Sequence, residues 1–323
     1  MKTFFNLIRW KNILIMALTM FAMKYAIIVP IYKFYQIDVA FSKTGFMFLV
    51  LAAMLIMAAG NVINDYFDRK TDIINRPKKV LVGFKINRRK VILMHLFLSL
   101  LGVISGFIAS YIMGKTIFGF FFIFVVILLW LYSTKFKKSA FVGNFTVALL
   151  TALITFIVAV SEYISVVNTI SEWDINYVRA VKISLQTIIG FSIFAFLYNF
   201  IREIIKDCED YDGDIVTGVK SIPVIIGKKK TNYIIFGFTL FSIVALIIGW
   251  HAYLSKLMFF KYDNISQWYI YALIILPSIF ICVKTFISTN KKNYSSMSKL
   301  AKIIMIFGVL YSIIFSFAIY GKF

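Results

Sequence analysis

Acidic residues are scarce in this chain. Of 323 residues, 14 are Asp or Glu against 35 Lys or Arg, and charged residues of every kind make up 15%. Hydrophobic residues supply 61%. A soluble globular domain carries roughly a quarter of its residues as charges, so a water-soluble fold is excluded. Cysteine is nearly absent. Cys208 and Cys282 form no CxxC pair, which removes a disulfide framework. The two histidines, His95 and His251, stand far apart near the ends of apolar runs. Both are expected at membrane interfaces, since no zinc ligand set is visible. Long polar stretches are missing as well, so residues 1–323 are expected to form a single integral membrane domain.

Apolar sequence is what the chain has in abundance. Runs of about twenty apolar residues, the length a bilayer-spanning helix needs, recur throughout. Nine are read, near residues 13–33, 45–64, 91–113, 116–134, 141–161, 180–202, 232–252, 268–286 and 300–320. The expected fold is all-α and polytopic, with nine transmembrane helices in one bundle around a central cavity open to the cytoplasmic side. Lys2, Arg9 and Lys11 precede the first run, as in a signal peptide. No small-x-small cleavage site follows, and the run continues past Ile28, so it is kept as an uncleaved first span. Lys24 lies inside that span. A charge at mid-helix costs at least a few kcal/mol unless it faces polar surroundings, so the first span is expected to line the bundle interior.

A formal net charge of +21 would suit nucleic acid, but its distribution argues against that partner. With nine spans, charged segments alternate between two sides, and 26 of the 35 Lys and Arg fall on the side of the N-terminus. This is the positive-inside bias. It places the N-terminus in the cytoplasm and Phe323 outside, in a multi-pass inner-membrane protein whose basic face attracts anionic membrane lipid.

The few acids are concentrated. Nine of the 14 sit in two segments, each at the end of an apolar run. The first reads Asn61-x-x-x-Asp65-x-x-Asp68-x-x-x-Asp72, the second Glu203-x-x-x-Asp207-x-x-Asp210-x-x-x-Asp214. The shared spacing i, i+4, i+7, i+11 falls within an arc of roughly 60° on an α-helix. Like charges aligned this way repel by roughly 2 kcal/mol at an effective dielectric near 20. A divalent cation is the natural compensation, and a diphosphate is the usual reason to hold one. An acidic stripe entering a membrane must face protein or water, so both stripes are expected to face one cavity. Solvated helix ends offsetting nearby lysines are the blander alternative, and a repeated eleven-residue register argues against it.

Basic groups flank both motifs: Arg69, Lys70, Arg76, Lys78 and Lys79 after the first, Arg202, Lys206 and Lys228–Lys230 within and after the second. Arg76, Lys79, Arg202 and Lys206 lie close to the carboxylates and are the better candidates for holding a diphosphate. Lys228–Lys230 read as topology determinants. A third turn, LYSTKFKKSAFVGN (residues 131–144), places Tyr132 at the end of the fourth span and Lys137 just outside it. Gly143 and Asn144 open the fifth. Such residues also serve simply as membrane anchors and close-packing positions.

The string NVINDYFDRKTDIINRP (Asn61 to Pro77) resembles the first signature of the UbiA-type intramembrane prenyltransferases, and REIIKDCEDYDGDIVTGVKSIPVIIG (Arg202 to Gly227) resembles their second. YSTKFKKSAFVGN matches the family's turn between the fourth and fifth helices, and nine spans are the family's number. Within the family, REIIKDCEDYDGD looks most like the digeranylgeranylglyceryl phosphate synthases of archaeal ether-lipid synthesis. The resemblance implies a polyprenyl diphosphate bound through Mg2+ ions. Asn61, Asn64, Asp65, Asp68 and Asp72 would form one half of that site, and Asp207, Asp210 and Asp214 the other. Lys137 and Arg76 would help hold the diphosphate, while Lys79 stands where many members have arginine. The six aspartates are thereby the candidate catalytic and metal-binding residues. Candidate substrate contacts are Asn61, Asn64, Arg76, Lys79, Tyr132, Lys137, Asn144, Arg202, Glu203 and Lys206.

The function these readings point to is Mg2+-dependent ionisation of an allylic diphosphate and transfer of its prenyl group, with aromatic faces shielding the cation. Geranylgeranylglyceryl phosphate is the expected acceptor, and an aromatic quinone precursor such as 4-hydroxybenzoate is the alternative. A cation-coupled transporter is the competing class, since carboxylates in a bundle also mark ion pathways. Transport sites sit near the midplane on broken helices, whereas these acids cluster at one end of unbroken runs.

Overall fold

The computed structural model describes residues 2–75, 77, 80–171, 174–260 and 263–321. Among them, nine helical segments are long and apolar enough to cross a membrane: Trp10–Phe34, Lys43–Ile74, Arg88–Ile112, Thr116–Lys138, Ala140–Thr169, Ile175–Thr217, Lys228–Lys256, Asn264–Ile287 and Lys291–Tyr320. They are called spans 1 to 9 below. No strand occurs among the described residues. Span 2 packs along span 3, and span 6 packs along spans 5 and 9.

Spans 2 and 6 extend well past the apolar runs that announce them. The helix of span 6 is 43 residues long, about 65 Å at 1.5 Å per residue. That is about twice the thickness of a hydrocarbon core. Its last turns therefore carry the second acidic motif beyond the apolar layer as continuous helix. Span 2 does the same for the first motif, running as one helix from Lys43 to Asn75.

Spans 1 and 8 change their winding instead. Each contains a wide π turn, Met23–Ile28 and Ile270–Ile275, just before a proline, Pro30 and Pro277. A proline removes one i→i−4 hydrogen bond, and its ring crowds the carbonyl four residues back. The wider turn accommodates both.

Lys24 lies within the π turn of span 1 and is 2% exposed. Its Nζ donates to the Phe41 carbonyl at 2.5 Å and lies 4.0 Å from Glu162 Oε2 on span 5. Glu162, 3% exposed, accepts from the Ala40 amide at 2.6 Å. Span 1 thus faces the bundle interior, as expected. The polar surroundings are an ion pair pinning the turn after span 1 against span 5. His95 departs from the interface placement expected of it: it is buried, with Nδ1 3.0 Å from the Ala59 carbonyl and its ring against Trp130. His251 is exposed and meets the Tyr271 hydroxyl at 2.9 Å.

The chain before span 1 is also structured. Lys2–Leu7 is helical, and Leu7 is buried with Val62 of span 2, Val91 of span 3 and Val82 of the turn joining them.

Candidate active site

Three segments distant in sequence converge at one end of the bundle: the ends of spans 2 and 6 and the turn between spans 4 and 5. Each acidic row is laid out by helical spacing alone, so what remains is how the rows are brought together. Thr71 Oγ1 of span 2 reaches Thr217 Oγ1 of span 6 at 3.4 Å, near the ends of both helices. The turn after span 4 lies against both. The Lys220 amide, just past span 6, donates to the Lys138 carbonyl at 3.3 Å. On the other side Lys137 Nζ forms an ion pair with Asp68 Oδ2 and lies 3.5 Å from Asn64 Oδ1. Asn64 Nδ2 in turn donates to Asp68 at 2.6 Å. Gly143 makes this turn possible: a Cβ there would sit 2.8 Å from the Phe136 carbonyl oxygen and 3.1 Å from the Lys137 Cα.

The second row is held from the same region. Asn144 donates to Asp207 Oδ2 at 2.8 Å from the first turns of span 5. Tyr132 interacts electrostatically with Lys137 and Asp68 and with Glu203 and Asp207 of the second row. Asp214 interacts with Asp210 of its own row, and with Lys137 and Asp68 across the gap.

Glu203 is 8% exposed and held from both sides: Arg202 Nη1 is 2.7 Å from Oε1 and Lys206 Nζ is 2.9 Å from Oε2. Those two cations therefore enter the site as partners of a carboxylate. Asn61, an expected substrate contact, also holds the chain before span 1. Its Nδ2 donates to the Ile8 carbonyl at 2.9 Å, docking the N-terminal segment on span 2. Arg76 and Lys79 lie outside the described residues.

One further residue, not expected from the sequence, joins the first row. Arg9 Nη2 reaches Asp65 Oδ1 at 2.6 Å. Arg9 sits in a left-handed turn, φ 55°, between the N-terminal helix and span 1. Burial disfavours its charge, but the charge and hydrogen bond of Asp65, with Asp68 and Asp72, outweigh burial and hold the guanidinium above its ordinary value. In the sequence Arg9 was visible only as one of three basic residues before an apolar run, the usual mark of topology.

Among the described residues, no three His, Cys, Asp or Glu side chains are gathered into a ready metal pocket. The donor chemistry nevertheless suits a hard divalent cation, because Asp and Asn offer oxygen ligands. Asp65 and Asp68 already hold a positive group each, the Arg9 guanidinium and the Lys137 ammonium.

The model of the UbiA prenyltransferase family matches residues 28–307. The digeranylgeranylglyceryl phosphate synthase of Methanosphaera stadtmanae is 32% identical over 252 residues, covering 78% of this chain and 79% of that protein. The synthase of the same name from Methanosarcina mazei is 27% identical over 314 residues, 96% of each chain. A solved structure from work on digeranylgeranylglyceryl phosphate synthase in membranes superposes with a TM-score of 0.63 at 24% identity, covering 98% of each chain. It has the same fold.

Proposed function

The chain belongs to the UbiA prenyltransferase family, and from that premise we propose that it transfers a geranylgeranyl group from its diphosphate to geranylgeranylglyceryl phosphate. Prenyl transfer follows from the family. The choice of acceptor is supported by the name of the relatives that align over most of the chain. One observation carries the site: Lys137 meets Asp68 of the first row and interacts with Asp214 of the second, so the two rows border one space with a cation between them.

In the proposed reaction the C1–O bond of the prenyl diphosphate breaks and its electron pair leaves on the diphosphate. The acceptor hydroxyl oxygen bonds to C1, and its proton is released to water or to the diphosphate. Asp65, Asp68, Asp72, Asp207, Asp210 and Asp214 would hold Mg2+ together with the diphosphate. The ion supplies positive charge where the leaving group gains negative charge. Lys137 adds a fixed cation at the same place, so it stabilises the departing group without reorganising. Arg9 and Asn144 orient Asp65 and Asp207 by direct contact. Tyr132 closes the space between the rows and keeps water from the allylic cation. Spans 2 and 6 run without a break through the apolar layer, which favours this reading over ion transport.

The enzyme is read as one domain with the N-terminus and both acidic rows in the cytoplasm. To test the function, membranes containing the protein are incubated with Mg2+ and radiolabelled geranylgeranyl diphosphate. Geranylgeranylglyceryl phosphate, 4-hydroxybenzoate and dihydroxynaphthoate are offered separately. Label is expected in a diether lipid phosphate. Label appearing only in a prenylated aromatic would overturn the acceptor assignment.

A further inference from the structure

Arg69 follows Asp68 directly, yet one residue along an α-helix turns the side chain by about 100°. Four residues after Asp65, however, it stands only about 40° from that side chain, at the rim of the acidic face, where it meets the turn between spans 2 and 3. That turn is tight: the Gly83 amide donates to the Ile86 carbonyl at 2.8 Å, and the Lys85 amide to the Leu81 carbonyl at 2.8 Å. Buried Val82 anchors it in the apolar cluster with Leu7, Val62 and Val91. Gly83 has φ +82°, and a Cβ there would lie 2.9 Å from Arg69 Nε. The guanidinium thus packs directly against the glycine, with its Cζ 5.6 Å from the Phe84 ring centroid. Arg69 Nε is buried and has no hydrogen-bond partner.

Arg69, Lys85 and Arg88 line a cleft of about 480 Å³ together with Gly83, Phe84 and Asn87. Among the described residues, no carboxylate lines it. Arg88 is set by its neighbours: Nη2 donates to the Tyr66 hydroxyl at 3.0 Å, and Cζ lies 4.8 Å from that ring centroid. The cleft also lies at the start of the 25-residue helix of span 3, whose N-terminal end carries partial positive charge. Three cations converging on one cleft, two fixed by aromatic rings, match the charge and fork geometry of a phosphate. The position argues for a lipid-borne phosphate. Span 3 turns apolar at Val91, just after Arg88–Lys90, and Phe84 is 68% exposed beside them, a basic and aromatic rim of the kind found at headgroup level.

We propose that this cleft binds the phosphate of the acceptor lipid. It would hold the glycerol hydroxyl beside the first acidic row while the diphosphate occupies the space between the rows. The proposal rests on the acceptor being phosphorylated, as above.

The test compares wild type with R69Q/R88Q on geranylgeranylglyceryl phosphate and on the same lipid without its phosphate. Each guanidinium–phosphate contact removed is expected to cost about tenfold or more. The double variant should therefore lose about a hundredfold or more in kcat/KM on the phosphorylated acceptor, mostly as KM. It should match wild type on the dephosphorylated one, which also shows that it folds. KM for the prenyl diphosphate should stay unchanged. Equal losses on both acceptors, no loss on either, or a raised KM for the diphosphate would overturn the cleft assignment. Binding is read separately with dodecyl phosphate and purified protein in neutral detergent. R69Q/R88Q is expected to bind at least about tenfold more weakly, with R69K/R88K intermediate. Equal binding, or competition by inorganic phosphate as strong as by dodecyl phosphate, would sink a lipid-phosphate site. If wild type prenylates no phosphorylated acceptor, the proposed function fails whatever the cleft binds.

Discussion

Lys137 is the side chain on which the proposed site turns, and its replacement separates catalysis from stability. In K137Q, Asp68 keeps its hydrogen bond from Asn64 but loses its ion pair. The Lys137 side chain is 38% exposed, so the pair is solvent-screened and its loss should cost only about 0–1 kcal/mol of stability. Catalysis should suffer far more. A preorganised positive group aimed at charge that develops in the transition state is worth about 2.7–4 kcal/mol, a factor of roughly 10²–10³ in kcat. K137R keeps the charge but replaces a compact ammonium with a planar fork in a turn that Gly143 keeps tight, so an intermediate rate is expected. Because Lys137 and Asp68 act as a unit, D68N/K137Q should be little worse than the more damaged single variant. Initial rates at saturating prenyl diphosphate and acceptor, with thermal unfolding of the same detergent preparations, measure both quantities. K137Q within about threefold of wild-type kcat would refute the placement of Lys137 at the leaving group. A large drop in melting temperature would show that the pair is chiefly structural.

Asp210→Ala and Asp68→Ala should each abolish transfer, and EDTA should stop the wild-type reaction until Mg2+ is restored; turnover indifferent to chelation would rule out a metal-held diphosphate. Arg9→Gln should lower activity by a factor that stays constant between about pH 6 and 10. A cation held above its ordinary value contributes its stabilisation below its unfolded value, here far above neutrality, and loses it only as pH rises through the folded one. A wild-type-to-variant rate ratio that changes steeply across that range would contradict the Arg9–Asp65 contact. Removing either partner of the buried Lys24–Glu162 pair should destabilise by about 3–5 kcal/mol, read as a lowered unfolding temperature in detergent, whereas unchanged unfolding of K24M would mean the pair is not formed. A cysteine at position 75 should react with membrane-impermeant reagent from the cytoplasmic side; labelling from the opposite side would invert the proposed topology.

Much of this molecule is legible without coordinates because its strongest signals are local. Apolar runs of membrane length are a property of contiguous residues, and nine of them reappear as helices among the described residues. The i, i+4, i+7, i+11 spacing aligns Asp65, Asp68 and Asp72 on one helix face without help from any other segment. The boundaries were less legible. The apolar runs near residues 45–64 and 180–202 end where hydropathy falls, but the helices continue through both acidic motifs. Hydropathy reports which part of a helix is in lipid, while helical hydrogen bonding continues wherever propensity and packing permit.

The pairings are where sequence falls silent. Arg9 and Asp65 are 56 residues apart, Lys137 and Asp68 69, and Lys24 and Glu162 carry no spacing that links them. Hydropathy and helical periodicity determined by themselves that this chain is a bundle of membrane helices with two acidic faces. Only tertiary packing decided that a left-handed turn would bring Arg9 to the first face and that Gly143 would let Lys137 stand between the faces. Charge and hydrogen-bond energies fall off within a few ångströms, so which groups meet is settled by how helices pack, a relation between distant residues that no local pattern encodes.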